Sequence, residues 1–283
     1  MAELLKGAPV AAALNRETAA ACAALKENGV IPTLAILRIG ERPDDLAYER
    51  GIVKVCEKTG LTLRTVVLPE NVGQSQLIGE IETLNTDAGV HGILMFSPLP
   101  KHLDEKAARA ALSAEKDVDG VTEASLGGVF TGSGTGFAPC TPQAVMEILK
   151  FYGIDCAGKT AAVVGRSLVV GKPLSMLLIA ANATVTVCHT KTPDLPGALR
   201  RADILIAAVG RAGAVGADCF APGQVVIDVG INVGPDGRLC GDADFAAALD
   251  AVSAITPVPG GVGSVTTAVL ASHVSEAAIR SCG

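Results

Sequence analysis

Short apolar runs recur along the 283 residues of this chain, at 33–39, 62–68, 92–96, 159–164, 184–188, 203–208, 224–229 and 252–255. Between most of them lie stretches of helical length and amphipathic pattern. Strands joined through helices pair in parallel, because a parallel neighbour needs a crossover of about a dozen residues or more, and the helices then cover the sheet faces. The alternation predicts an α/β protein built on parallel sheet.

The helical stretches fall at about 9–28, 45–59 and 75–85, and again at 142–152, 170–181, 194–200 and 265–280. Between 116 and 142 the periodicity fails. There Gly127, Gly128, Gly132, Gly134 and Gly136 cluster, and 126–136 reads as irregular loop. Pro142 suits a first helical turn with Thr141 as its N-cap, so a second lobe opens at that point. The last helix is long enough to reach back to the first lobe. Two α/β lobes are therefore expected, one from 1–141 plus 265–283 and one from 142–264.

Hydrophobic residues make up 49% of the chain and charged residues 18%, enough apolar content to pack rather than stay disordered. Aromatics are only 3%, Trp is absent, Tyr48 and Tyr152 are the only tyrosines, and the net charge is −6. Neither a stacking platform for single strands nor a broad phosphate-binding surface is compatible with this, so nucleic acid is not an expected partner. The best apolar stretches, 174–181 and 204–209, fall short of the roughly 18–20 residues of a membrane span. The opening Met-Ala-Glu-Leu-Leu-Lys carries an acid where an export signal needs bases. Eight scattered cysteines with no Cys-x-x-Cys pair read as free thiols of a cytoplasmic protein rather than disulfides or metal ligands.

The run 160–164 leads directly into Gly165-Arg166-Ser167-Leu168-Val169-Val170-Gly171-Lys172-Pro173. Strand, glycine turn and helix start are the setting in which backbone N–H groups and a helix dipole hold a pyrophosphate. The Gly-x-Gly-x-x-Gly spacing is lacking, so the string by itself also fits a tight βα turn that holds nothing. An NAD site places an acid about 20 residues further on, at the end of the next strand. Here Val187 is followed by Cys188-His189-Thr190-Lys191-Thr192, with no carboxylate. Arg166 in the turn, with the hydroxyls and cation at that strand end, suits a 2′-phosphate, which favours NADP over NAD. Taken alone, Lys191 is also an ordinary surface charge.

Three further strings lie outside any generic dinucleotide pattern: Lys116-Asp117-Val118-Asp119-Gly120, Pro139-Cys140-Thr141-Pro142, and Ile255-Thr256-Pro257-Val258-Pro259-Gly260-Gly261-Val262-Gly263. With Asp228-Val229-Gly230-Ile231-Asn232 and the Gly165 turn, the chain closely resembles the FolD family of methylenetetrahydrofolate dehydrogenase/cyclohydrolases, collinearly over essentially its whole length. The resemblance implies a homodimer of two-domain subunits, NADP in a C-terminal Rossmann-type lobe, and a tetrahydrofolate one-carbon derivative bound between lobes. It implies Tyr48 as the residue over which folate stacks and Asp119 as the pterin ligand, making these the candidate catalytic and substrate-binding side chains. Pro259, Gly260 and Gly261 would line the folate site, and Gly165, Arg166, Ser167, Thr190 and Ile231 would contact NADP. A pterin offers a donor edge that a carboxylate accepts in two places. Without the resemblance, Asp117 and Asp119 read equally as loop acids or a helix cap.

The family's catalytic helix carries Tyr-x-x-x-Lys, and this chain has Tyr48-Glu49-Arg50-Gly51-Ile52. Four residues on a helix return to about 40° from Tyr48, whereas Lys54 lies about 120° away and Lys58 nearly three turns along. Phe96-Ser97-Pro98-Leu99-Pro100 stands where the family has Gln-Leu-Pro-Leu-Pro, Asp45 where serine is common, and Ser264-Val265 where Pro-Met is usual. Ile52 and Phe96 thus occupy the Lys and Gln positions assigned to hydrolysis. Adding water to the methenyl carbon needs a positioned acid/base group worth about 10² to 10⁴ in rate. Oxidation of the methylene carbon rests instead on ring orientation. The expected activity is NADP-dependent methylenetetrahydrofolate dehydrogenase with weak or absent cyclohydrolase, the hydrolytic step falling to a separate cyclohydrolase. The alternatives are a bifunctional enzyme using Arg50, Lys54 or a bound water, and a non-catalytic NADP- and folate-binding regulatory protein.

Overall fold

All seven residues of Thr33–Ile39 are buried, as a strand requires when both its faces are covered. In the computed structural model, which describes residues 1–282, this strand is the centre of a three-stranded parallel sheet between Thr62–Leu68 and Gly92–Met95. Helix Gln74–Thr86 sets Leu77, Ile81 and Leu84 against Ala35, Leu37, Ile93 and Met95, the spacing of a single helical face. Each such side chain taken out of water contributes about 1.5–3 kcal/mol. Helix Pro43–Thr59 begins on a proline with Asp44 and Asp45 in its first turn, and ends at Gly60, whose φ of 75° a side chain would resist.

The second sheet has six strands, all parallel, in the order Glu3–Leu4, Ala254–Ile255, Val225–Asp228, Ile204–Ala207, Thr160–Val164, Thr184–Cys188. Helices Gly171–Ala180, Leu195–Arg200 and Phe245–Ala251 lie on its crossovers. Chain order reverses at Thr160–Val164, and in open α/β sheets the carboxyl end of the strand at such a reversal is where ligands bind.

Two compact units result: Met1–Ala11 with Thr141–Thr266, and Ala12–Cys140 with the chain from Thr267 onward. The expected grouping of 1–141 with 265–283 differs at its start. Glu3–Leu4 pairs in parallel with Ala254–Ile255, so the first eleven residues belong to the six-stranded unit. A two-residue strand carries no periodicity to read. The final helix, Thr266–Arg280, does belong almost wholly to the three-stranded unit.

Two local expectations are corrected. The segment at 126–136 is not all loop: helix Glu123–Thr131 runs through Gly127 and Gly128 and stops at Gly132, with φ 69°. Thr122 Oγ1 accepts from the Ser125 N–H at 3.1 Å, and a Cβ on Gly128 would lie 2.0 Å from the Thr135 carbonyl oxygen. The cap holds the helix, and the glycine permits close chain packing rather than breaking it. Helix Cys140–Phe151 also begins before Thr141, which lies inside its first turn rather than capping it. No helix among the described residues is long and apolar enough to cross a membrane, and all eight cysteines are free thiols.

Candidate active site

On helix Pro43–Thr59, Asp45 and Ile52 share a face, and both are buried; Tyr48 stands between them with 40% of its surface exposed. Arg42, at the helix start, donates to Asp45 Oδ1 at 2.8 Å and to the Pro98 carbonyl at 2.8 Å. That ties the helix to the segment after strand Gly92–Met95. Phe96 is the first residue past this strand, is buried, and donates its N–H to the Leu37 carbonyl at 2.9 Å. Its ring centroid lies 5.5 Å from that of Tyr48, tilted by 39°. Glu105 accepts from the Leu99 N–H at 3.1 Å and from Arg109 at 2.5 Å, pinning the same segment from the other side. Arg50, Lys54 and Lys58 are exposed.

Asp117 and Asp119 have different work. Asp117 is fully buried and accepts from the Val121 N–H at 3.0 Å, the Thr122 N–H at 2.8 Å and the Ser125 hydroxyl at 2.7 Å. It is the clamp that starts helix Glu123–Thr131. Asp119 is left facing Tyr48, Cys140 and Arg109. Burial pushes its carboxyl up to about 6, the Asp117 charge adds to that, and the Cys140 hydrogen bond and Arg109 act against it. Burial likewise raises the Tyr48 phenol, with Asp119 and Cys140 adding to the effect. Gly120, at φ 69°, has no room for a Cβ, which would lie 2.5 Å from the Pro139 nitrogen. The two motifs at 116–120 and 139–142 are therefore packed on each other, which brings Cys140 to Asp119.

In the six-stranded unit, Gly165 follows Thr160–Val164 at the order reversal. Its φ is 126°, a Cβ there would lie 2.1 Å from the Ala208 carbonyl oxygen, and one on Gly171 would lie 2.2 Å from the Gly165 carbonyl oxygen. Bare backbone is obligatory at both. Helix Gly171–Ala180 opens at Val170 with no side-chain cap; Ser167 Oγ accepts the Val170 N–H at 3.1 Å. Arg166 and Ser167 are exposed in the turn, Thr190 is exposed after Thr184–Cys188, and Ile231 is 63% exposed. His189 Nδ1 accepts from the Lys191 N–H at 3.1 Å and the Thr192 hydroxyl from the His189 N–H at 2.9 Å, which shapes the Thr190 turn. A glycine cradle that no Cβ can enter, at an uncapped helix start with a guanidinium beside it, fits a pyrophosphate and a further phosphate.

Asp242 escaped sequence reading. Fully buried, it accepts from the N–H groups of Val209, Gly210 and Arg211 at 2.5, 2.9 and 2.8 Å and from Asn232 Nδ2 at 2.9 Å. Asp228 accepts from the N–H groups of Gly230, Asp242 and Ala243, each at 2.9 Å. The pair builds the loops on which Ile231 stands, and no local spacing links positions 14 apart in an irregular segment. Gly260, at φ 101°, accepts from the Gly7 N–H at 2.8 Å, so the Pro259-Gly260-Gly261 loop is braced by the start of helix Gly7–Glu27.

Sheet order and turn define a dinucleotide-binding α/β protein with a second α/β unit that carries a half-buried carboxyl beside a tyrosine. Its sequence matches the catalytic domain of tetrahydrofolate dehydrogenase/cyclohydrolase over residues 5–119 and the NAD(P)-binding domain of the same enzymes over 139–282. It is 54% identical over 279 residues to the bifunctional protein FolD of Carboxydothermus hydrogenoformans, covering 98% of this chain and 97% of that one. The crystal structure of the bifunctional FolD methylenetetrahydrofolate dehydrogenase/cyclohydrolase from Campylobacter jejuni superimposes with a TM-score of 0.95 at 39% identity, covering 99% of each chain. The Trypanosoma brucei FolD, complexed with NADP cofactor and inhibitor, gives 0.91 at 36% identity, covering 99% and 98%. The chain belongs to the tetrahydrofolate dehydrogenase/cyclohydrolase family, FolD.

Proposed function

We propose that this FolD member is an NADP-dependent 5,10-methylenetetrahydrofolate dehydrogenase whose cyclohydrolase activity is weak or absent. The observation that carries the reading is the apolar wall beside Tyr48, where Ile52 is buried and the Phe96 ring meets the tyrosine at 5.5 Å. Asp119 accepts the donor edge of the pterin, and Tyr48 offers a ring face to it. Gly165, Arg166, Ser167, Thr190 and Ile231 would hold NADP, which when bound supplies the hydride acceptor. Loss of hydride from the methylene carbon is driven by the neighbouring nitrogen lone pair, so the protein's task there is orientation. Hydration of the resulting cation needs a base and a proton donor, and neither Ile52 nor Phe96 has an atom that does either.

The relatives named bifunctional favour a second reading, in which another group activates water. Arg50 and Lys54 are cations of the same helix, but both are exposed on other faces of it than Tyr48. One experiment separates the two: purified protein given methylenetetrahydrofolate and NADP, with methenyl and formyl products followed by absorbance. The methenyl compound is expected to accumulate and to decay at its uncatalysed rate. Rapid enzyme-dependent clearance to formyltetrahydrofolate would overturn the proposal.

A further inference from the structure

An ion pair with no part in the chemistry above ties helix Pro43–Thr59 to two strands of the three-stranded sheet. Ala35, Leu37 and Ile39 pack with helix Gln74–Thr86, so alternation along the strand turns Leu34, Ile36 and Arg38 to the opposite face. Register sets Thr65 beside Ile36 and Val67 beside Arg38 on that face. There Arg38 Nε donates to Glu49 Oε2 at 2.9 Å, and the Thr65 hydroxyl donates to Glu49 Oε1 at 3.0 Å. Each carboxylate oxygen of Glu49 is thus held by a different strand. Arg38 Nη1 also donates to the Gly40 carbonyl, which fixes the guanidinium to its own strand end. The two charged side chains are only 9% and 15% exposed.

Glu49 is the chain neighbour of Tyr48. On the helical wheel the two project about 50° to either side of the buried stripe of Asp45, Ile52, Cys56 and Thr59. A roll of about 20° would carry a ring at the ~5–6 Å radius of the side-chain envelope through about 2 Å. Apolar contact is non-directional and opposes such a roll weakly, whereas a charge-assisted hydrogen bond to a fixed guanidinium opposes it strongly. A buried ion pair adds little stability over an apolar pair of its size, and its best-attested use is to fix register. We propose that Arg38 and Glu49 are positioning residues for Tyr48: with Thr65 they set the roll of helix Pro43–Thr59 and so hold the tyrosine ring, 5.5 Å from that of Phe96, where a pterin stacks on it. The proposal rests on the reading of Tyr48 as the residue over which folate stacks.

The test is tetrahydrofolate affinity by calorimetry on the full-length protein, with dehydrogenase kinetics and the Tyr48 signal itself. The chain has no tryptophan and two tyrosines, so Tyr152→Phe leaves Tyr48 as the only tyrosine emitter. Tyr152 belongs to the six-stranded unit, where its hydroxyl donates to the Lys6 carbonyl. Glu49→Ala is expected to weaken tetrahydrofolate binding up to about tenfold, the worth of one aromatic contact. It should lower kcat/KM for methylenetetrahydrofolate by about tenfold to a hundredfold, as misplacement on the ångström scale does. KM for NADP should not change, and Tyr48 emission should become easier to quench with acrylamide. Glu49→Gln, whose amide keeps an acceptor for Arg38 and a donor for the Thr65 oxygen, should retain most of the affinity. The double replacement Arg38→Met, Glu49→Leu removes the pair without stranding a charge, and it decides should Glu49→Ala not fold. It is expected to melt at or above the parent's temperature and still bind tetrahydrofolate as weakly as Glu49→Ala. Parent affinity or unmoved Tyr48 quenching in the double variant would overturn the proposal by reducing the pair to scaffold. In a Tyr48→Ala background Glu49→Ala should cost no further affinity, and additive losses would overturn it too. Tyr48→Ala alone separates the layers: if it binds tetrahydrofolate normally, the stacking reading and this proposal both fall, and if it weakens binding while the double replacement matches the parent, only the positioning role falls.

Discussion

The Phe96 ring lies 5.5 Å from the Tyr48 ring at a tilt of 39°, so the aromatic that follows strand Gly92–Met95 occupies the surface beside the tyrosine of helix Pro43–Thr59. Ile52, one turn further along that helix, is 2% exposed. The double replacement Ile52→Lys with Phe96→Gln puts an ammonium and an amide on this wall. It is expected to raise the rate of methenyltetrahydrofolate hydrolysis by at least about tenfold over the parent, within the range acid/base groups supply. Loss of the methenyl absorbance under identical folate and NADP concentrations is the measurement. Each single replacement should give less, since a lone lysine there meets the Phe96 ring and a lone glutamine has no cation to assist.

Gly165→Ala should abolish NADP binding while sparing folate binding. The added Cβ would lie 2.1 Å from the Ala208 carbonyl oxygen, and φ 126° is closed to alanine, so the turn must move. Titration calorimetry with NADP and separately with tetrahydrofolate checks both halves, and normal NADP affinity would show that the turn holds no phosphate.

Asp119 yields a stability prediction with a definite sign. Its carboxyl is raised from an ordinary 3.8 to about 6, so the folded state holds the proton more tightly than the unfolded state does. Its contribution to stability is therefore lost as pH rises through that window. Asp119→Asn should raise the melting temperature at pH 8 and leave it nearly unchanged at pH 4. The parent's dehydrogenase kcat/KM should fall as pH drops below about 6, as Asp119 takes up its proton. Melting curves and initial rates across that range test the two statements separately.

Asp242→Ala removes the acceptor of three consecutive backbone N–H groups, those of Val209, Gly210 and Arg211. Leaving buried donors unmet costs about 1–3 kcal/mol each when water cannot reach them. A loss of several kcal/mol in urea unfolding is expected, with weaker NADP binding, because Ile231 stands on the loops this carboxylate holds. Asp242→Asn, which keeps one acceptor oxygen, should lose less.

Features with local periodicity or local chemistry were legible from the residues in order. The seven-residue runs at Thr33–Ile39 and Thr62–Leu68 are strands at those bounds, and the helix after Gly165 begins at Gly171. Glycine density misled at 126–136, because a helix whose cap is set by Thr122 and Asp117 tolerates two internal glycines, one of which, Gly128, lets Thr135 pack against it. Asp117 and Asp119, two positions apart in one motif, could not be told apart until the partners of each were known.

The sequence by itself determined the α/β class and the glycine turn that follows Thr160–Val164, since each is written in neighbouring residues. Only tertiary structure decided that residues 1–11 complete the six-stranded sheet, that Asp117 is held by the Val121 and Thr122 N–H groups and the Ser125 hydroxyl, and that His273 and Cys140 meet at Val118. The physical reason is the same in each case: a hydrogen bond or strand pairing between distant positions satisfies a buried polar group, and which groups need a partner is settled only once the chain has closed around them.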